Sequence, residues 1–184
     1  MKQVEVPYED MKKEMTQELS KLGSEGDYLR GILATSLDDV VTARKMWMVP
    51  DGLKIYCWGA PNSRKHRQIQ ANPNVAVVAG FVQVEGVAEL LGHPKDNTEF
   101  LKVYKRAQPD RHKIHTSEGS NWHSVDRVLI KVTPRRIALS TILRHENSVE
   151  PIINILNVEK GKAYRILDFD NLPVDQSDIP AYSE

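Results

Sequence analysis

The chain has 184 residues, and 25 Lys and Arg balance 25 Asp and Glu, so its formal net charge is zero. That length fits one domain, and 40% hydrophobic against 27% charged residues can build a core, which excludes wholesale disorder. Charge balance argues against nucleic acid or an anionic membrane surface as the main partner, since both demand excess Lys and Arg. The longest apolar run, Val75 to Val82, is far short of the roughly 20 residues that span a bilayer. The opening stretch MKQVEVPYEDMKKEM carries acids early and has no apolar signal core. A single cysteine, Cys57, excludes an internal disulfide. The expectation is a cytoplasmic protein with no membrane partner.

Residues 8–22 place Met11, Met15, Leu19 and Leu22 on one stripe, which predicts an amphipathic helix stopped by Gly23, Ser24 and Gly26. From Gly31 the pattern turns β-branched and predicts strands at 31–36, 40–49 and 53–58. Pro50-Asp51-Gly52 reads as the tight turn of a hairpin, because Asp-Gly tolerates positive φ. Residues 62–72 predict a helix capped by Asn62 and stopped by Pro73. Two strands meet near Gly80 within 75–91, and a second helix fits 95–107, with Phe100, Leu101, Val103 and Tyr104 on its buried face. Residues 109–124 read as a polar loop, followed by a strand at 125–133 that meets Pro134 and a further strand or bend at 135–140. In the tail, Ser148-Val149-Glu150-Pro151 predicts the opening of a short helix, IINILNV, before a last strand at 163–169.

Short strands with helices inserted, and no βαβ alternation, predict a mainly β protein: an antiparallel barrel with helical caps. Neither G-x-G-x-x-G nor G-x-x-x-x-G-K-[ST] occurs, so a parallel nucleotide-binding sheet is disfavoured. Residues 1–140 form the barrel domain with its N-terminal helix, and 141–184 a C-terminal extension packing on it.

Hairpin arithmetic sharpens the functional reading. If Asp51-Gly52 is a two-residue loop, paired residue numbers sum to 103 and Arg44 lies opposite Gly59. Four residues later Ser63-Arg64-Lys65 opens the predicted helix, whose free N–H groups suit an anion. A hydroxyl and three cations there make a phosphate cradle. The alternative is that Arg44 points to solvent and Arg64-Lys65-His66-Arg67 is a solvated helix face.

The pieces Leu33-Ala34-Thr35, Arg44, Asp51-Gly52, Ile55-Tyr56, Ser63-Arg64-Lys65, Asn72-Pro73 and Val84-Glu85-Gly86-Val87-Ala88-Glu89-Leu90 come in a specific order. In that order the chain resembles the pyridoxamine 5′-phosphate oxidase-like flavin-binding split barrels over residues 28 to 140. The resemblance implies a six-stranded split barrel, a homodimer, and FMN held between subunits. It places Arg44 and Lys65 on the FMN phosphate, helped by Ser63 and Arg64. The backbone around Lys45-Met46 and Cys57-Trp58-Gly59 would line the flavin ring. Gly59 replaces a Thr frequent in the family, and Phe81 stands where the biosynthetic oxidase has a flavin-contacting Gln. The tail also lacks that enzyme's substrate-binding Arg-x-His pattern, so vitamin synthesis is not implied.

Other candidates compete. His112, His115 and His123 form no HExxH or zinc-finger spacing, and no cysteine accompanies them, so no metal site is expected. Haem ligation by one of them, as in haem-binding relatives, has no better support. Cys57 reads as a small buried residue rather than a nucleophile. Trp47 and Trp58 are either packing residues or a wall near the flavin, and Trp122 either a pocket lid, a subunit contact or a chance surface aromatic. The reading is an FMN-binding oxidoreductase acting on a small-molecule substrate, with no assigned catalytic residue. A non-catalytic flavin- or haem-binding protein of the same fold, or a deazaflavin-dependent reductase, is the alternative.

Overall fold

The computed structural model describes residues 2–24, 30–122, 125–144 and 149–167. Gly26, His123, Ser148 and the tail beyond Leu167 therefore lie outside the described residues. The elements are β1 (Lys2–Glu5), α1 (Tyr8–Leu19), β2 (Gly31–Leu37), β3 (Val40–Met46), β4 (Val49–Asp51), β5 (Lys54–Gly59) and α2 (Arg64–Ala71). There follow β6 (Asn74–Ala79), β7 (Val82–Leu90), a short 3₁₀ turn (Pro94–Asp96), α3 (Thr98–Ala107), α4 (Pro109–Thr116), β8 (Val128–Arg144), β9 (Val149–Asn157) and β10 (Lys162–Leu167).

All ten strands join one sheet in the order β1-β10-β9-β8-β7-β6-β2-β3, while β5 leaves this path to pair with β4 and β8. Every pairing is antiparallel. The sheet curls but does not close: β3 and β5 both end at open edges. This is the split-barrel fold, extended beyond the expected strands by β1 and β9, while β10 falls where the last strand was expected.

Alternation along the strands sends Leu33, Val77, Val84, Ile130, Ile137 and Leu156 into the barrel. The α1 stripe of Met11, Met15, Leu19 and Leu22 closes that core, as its spacing predicts. A polar latch fixes the helix: buried Asn154 donates to Glu14 Oε1 at 2.7 Å and accepts from Arg165 Nε at 2.9 Å. The Val84-Glu85-Gly86 motif has a steric cause. The β7–β8 register slips between Glu85 and Gly86, and a Cβ on Gly86 would meet the Thr133 carbonyl at 2.4 Å.

Four expectations need correction. The 40–49 strand breaks at Trp47-Met48, because Met48 turns fully into the core and Gln108 Nε2 donates to its carbonyl at 2.8 Å. The hairpin loop is Gly52-Leu53, with Asp51 paired to Lys54, so paired numbers sum to 105 rather than 103. Residues 109–116 form α4, started by Pro109 at its first turn. Residues 149–157 form β9 instead of a helix. The run of isoleucines favours an extended chain, with Ile152 and Leu156 inside and Ile153 toward the other face, opposite Ile166 of β10.

Candidate functional site

The opening of the barrel sets up the site. On one side β3 pairs only with β2 among the described residues, so its other edge is free. On the other side β4 covers only Lys54–Tyr56 of β5, and β8 takes the opposite edge of Ile55–Gly59. The backbone groups of Cys57–Gly59 on the β4 side therefore have no strand partner among the described residues. Two unpaired strand edges flank one seam, and α2 begins a few residues past the end of β5.

Arg44 reaches this seam by a different route from the one the hairpin arithmetic gave. It pairs with Leu33 of β2, not with Gly59. Its side chain is not a free surface cation: Nη1 donates to the Leu33 carbonyl at 3.1 Å and to Thr35 Oγ1 at 2.7 Å. Nη2 donates to Thr42 Oγ1 and, at 3.4 Å, to Gln68 Oε1. Burial, and then the neighbouring Arg64, lower its pKa.

Ser63 occupies the N-cap of α2 with extended backbone, φ −75° and ψ 156°. Its carbonyl accepts from His66 and Arg67 N–H at 3.1 and 3.3 Å, yet its hydroxyl caps nothing. That Oγ is buried and has no hydrogen-bond partner. An orphaned buried hydroxyl costs about 1–3 kcal/mol, so its position asks for a ligand. Beside it, Lys65 folds back over Gly59 and is half-buried. Its pKa is lowered, first by burial, then by Arg44. No carboxylate pairs with Arg44 or Lys65 among the described residues. A hydroxyl without a partner and gathered cations without an anion fit a phosphate group.

The remaining predicted residues contribute differently. Lys45 is exposed opposite Ile32 on the outer face, and Met46 packs against the core. Cys57 is fully buried inside the barrel, where desolvation pushes its thiol up to about 12, so it is no nucleophile at neutral pH. Trp58 points the other way, into a cluster with Phe100, Tyr104, His115 and Trp122, the last at 5.0 Å between ring centroids. Trp47 donates to Gln108 Oε1 at 2.6 Å, and the Arg111 guanidinium lies 4.1 Å from its ring centre. Both tryptophans are therefore packing residues of the α3–α4 side, and Trp122 is buried at 1% exposure rather than a surface aromatic.

His115 Nδ1 and the Tyr104 hydroxyl lie 2.7 Å apart, and His112 stands edge-on to the Tyr104 ring. Among the described residues no group of three or more His, Cys, Asp or Glu is placed to hold a metal ion. No described helix is long and apolar enough to cross a membrane. Thr35 entered the sequence reading only as part of the Leu33-Ala34-Thr35 piece, and Thr42 and Gln68, which with it anchor Arg44, escaped it. A signal existed for Gln68: with Ile69 it is a buried position on an otherwise charged helix.

Compared with known families, residues 29–140 match the profile described as pyridoxamine 5′-phosphate oxidase, well over half of the chain. The chain belongs to that family. No protein of curated function matches it by sequence. Among solved structures, PhzG from Burkholderia lata 383, in complex with tetrahydrophenazine-1-carboxylic acid, is 9% identical, with TM-score 0.55 over 89% of this chain and 93% of its own. A candidate pyridoxamine 5′-phosphate oxidase from Listeria innocua is 20% identical, with TM-score 0.51 over 75% of this chain and 99% of its own. A pyridoxamine 5′-phosphate oxidase-related, FMN-binding protein from Nostoc punctiforme is 12% identical, with TM-score 0.48 over 87% and 94%. The first two similarities establish a shared fold, and the family match places that fold in a flavin-binding family.

Proposed function

We propose that the chain is an FMN-dependent oxidoreductase acting on a small molecule, with the FMN phosphate held at the start of α2. The observation that carries this is the buried, partnerless Ser63 hydroxyl beside Arg44 and Lys65, two cations without a carboxylate partner among the described residues. Ser63 would hydrogen-bond the phosphate, and Arg44 and Lys65 would neutralise it. Arg44 arrives already oriented, since Thr35, Thr42 and Gln68 fix its guanidinium before any ligand binds. The free edges of Lys45-Met46 and Cys57–Gly59 would line the ring with backbone donors and acceptors. FMN, when bound, supplies the hydride acceptor and donor; the chain's own task is to grip, orient and keep water out.

The proposed working form is a homodimer. Ile32, Val78 and Phe81 stand 37%, 40% and 68% exposed on or beside the outer face of the sheet, and a second copy would cover them.

The test is a visible spectrum of purified protein, which should show paired flavin bands, followed by FMN titration of the stripped protein. Arg44→Ala and Lys65→Ala should each weaken FMN about tenfold or more, roughly 1.4 kcal/mol, with the fold intact. Superimposable titration curves for wild type and both variants would remove the assignment.

A further inference from the structure

His115 of α4 and Trp122 have no part in the phosphate cradle, yet they meet at one place. Their rings stack at 17° with centroids 5.0 Å apart, and Trp58 lies nearly perpendicular to both. The Arg127 guanidinium carbon is 5.7 Å from the centre of the Trp122 ring. Trp58, His115 and Arg127 are each half-buried, and α4 buries none of its residues, so the cluster reaches the surface.

Two buried donors in this cluster lack an acceptor. Trp122 Nε1 and Arg127 Nε are both shielded from water, and neither has a hydrogen-bond partner. Native structures rarely leave such groups orphaned, so each points to something that accepts from it. The surroundings say what kind of group that is. Arg127, Arg111 and His112 all act on His115 as positive neighbours, and no carboxylate pairs with Arg111 or Arg127 among the described residues. Unmatched donors among unmatched cations fit an anion, and the rings around them fit a flat apolar body.

The cluster also adjoins the seam. Trp58 sits between Cys57 and Gly59 on β5. Arg111 of α4 lies 4.1 Å from the ring centre of Trp47, the residue after the end of β3. One helix therefore packs against residues adjoining both strands of the proposed flavin site.

We propose that this cluster binds an aromatic carboxylate: Trp122 Nε1 and Arg127 Nε donate to the carboxylate, and the rings of Trp58 and His115 pack against the aromatic body. This names the substrate class of the flavin site above, and it rests on that reading only in calling the ligand a substrate.

Calorimetric titration of the purified full chain with benzoate tests it. Benzamide, which keeps the ring without the charge, and acetate, which keeps the charge without the ring, are the comparisons. Benzoate should bind at least tenfold tighter than either. Arg127→Gln and Trp122→Phe should each weaken benzoate about tenfold. The one hydrogen bond of Arg127 to a described residue is to exposed Asn121 at 3.3 Å, so Arg127→Gln keeps the fold even where Trp122→Phe does not. Benzoate should also raise the pH at which His115 titrates by NMR, because a nearby anion favours the imidazolium, and should have no such effect in Arg127→Gln. With FMN bound, benzoate should shift the flavin's visible bands. No benzoate binding, or equal affinity for benzamide or acetate, overturns the proposal. Undiminished benzoate binding in Arg127→Gln, or a His115 titration blind to benzoate, overturns it too. Unmoved flavin bands overturn the substrate role. Failure of the flavin reading looks different: benzoate then binds and moves His115 while FMN does not bind at all.

Discussion

Thr35 Oγ1 donates a 2.7 Å hydrogen bond to Gln68 Oε1 and accepts one of 2.7 Å from Arg44 Nη1, so one buried hydroxyl links the cation to α2. The relay joins β2, β3 and the helix at a single point. Thr35→Val keeps the shape and removes both bonds. It leaves an arginine N–H short of an acceptor at a site that is 2% exposed. The expected cost is about 1–2 kcal/mol in urea unfolding, with FMN affinity falling as Arg44 loosens. Thr35→Ser, which retains the hydroxyl, should recover most of both.

The fold's outline was legible where spacing acts locally. The Met11–Met15–Leu19–Leu22 stripe and the strand after Gly31 follow from periodicity, whereas α2 starts one residue later than its expected cap: Ser63, not Asn62, holds the N-cap position, and its side chain caps nothing. What escaped depends on partners distant in sequence. The break after Met46 is set by Gln108, about sixty residues away, whose amide donates to Met48 and Leu22 carbonyls and accepts from Trp47. The Asp51-Gly52 turn was found, but its register was misplaced because glycine takes the first loop position at φ +61°. The residues proposed to hold a phosphate could be named from the sequence by type and order. The anchoring of Arg44 by Thr35 and Gln68 was not, because no spacing rule joins residues 35, 44 and 68.

Lys65 gives flavin binding a pH dependence with a definite sign. Burial, and then Arg44, lower its pKa in the free protein, whereas a bound phosphate dianion favours the charged ammonium and raises it. Binding therefore takes up protons at alkaline pH, and FMN affinity should fall as pH rises through the lowered free-state pKa. Titrations between about pH 7 and 10 should show that decline, and Lys65→Met should flatten it. A wild-type profile parallel to that of Lys65→Met would contradict this linkage.

His115 predicts an acid-side effect elsewhere. Burial, then Arg127, Arg111 and His112, hold its imidazole below the ordinary range. The unfolded chain then binds more protons than the folded one between the lowered value and about 6.5, so stability is lost as pH falls through that window. The wild-type Tm should drop on acidification from about pH 7 to 5, and His115→Gln should reduce the slope. Because His115 stacks on Trp122 with centroids 5.0 Å apart, tryptophan emission should follow the same titration. An unchanged slope in His115→Gln would assign the acid sensitivity to other groups.

The exposed outer face predicts a mass. Light scattering at micromolar concentration should give about twice the chain mass of 20.9 kDa. Val78→Glu places a charge in the middle of the proposed contact and should yield monomers without unfolding, since Val78 is 40% exposed. A wild-type mass equal to one chain would rule the dimer out.

The last prediction is turnover. Substrate must reach the flavin ring, and two features bear on access: Trp58, which the sequence leaves as a packing residue or a wall near the flavin, and the segment 152–158, which the sequence predicts as a helix. The Trp58 ring turns into the α3–α4 cluster, 5.5 Å from Tyr104 between centroids. Residues 149–157 are strand β9, paired to β8 and β10 on the sheet path away from β3. The proposed function requires that a ring held between β3 and β5 be reached by a small donor or acceptor. Anaerobic stopped-flow mixing with NADH, NADPH and a reduced deazaflavin should therefore find one that reduces the bound flavin at a saturable rate, with reoxidation by an added acceptor. If none of the three reduces it, in the whole chain or in one ending at Leu167, the protein holds flavin without turning it over, and the non-catalytic reading replaces the oxidoreductase.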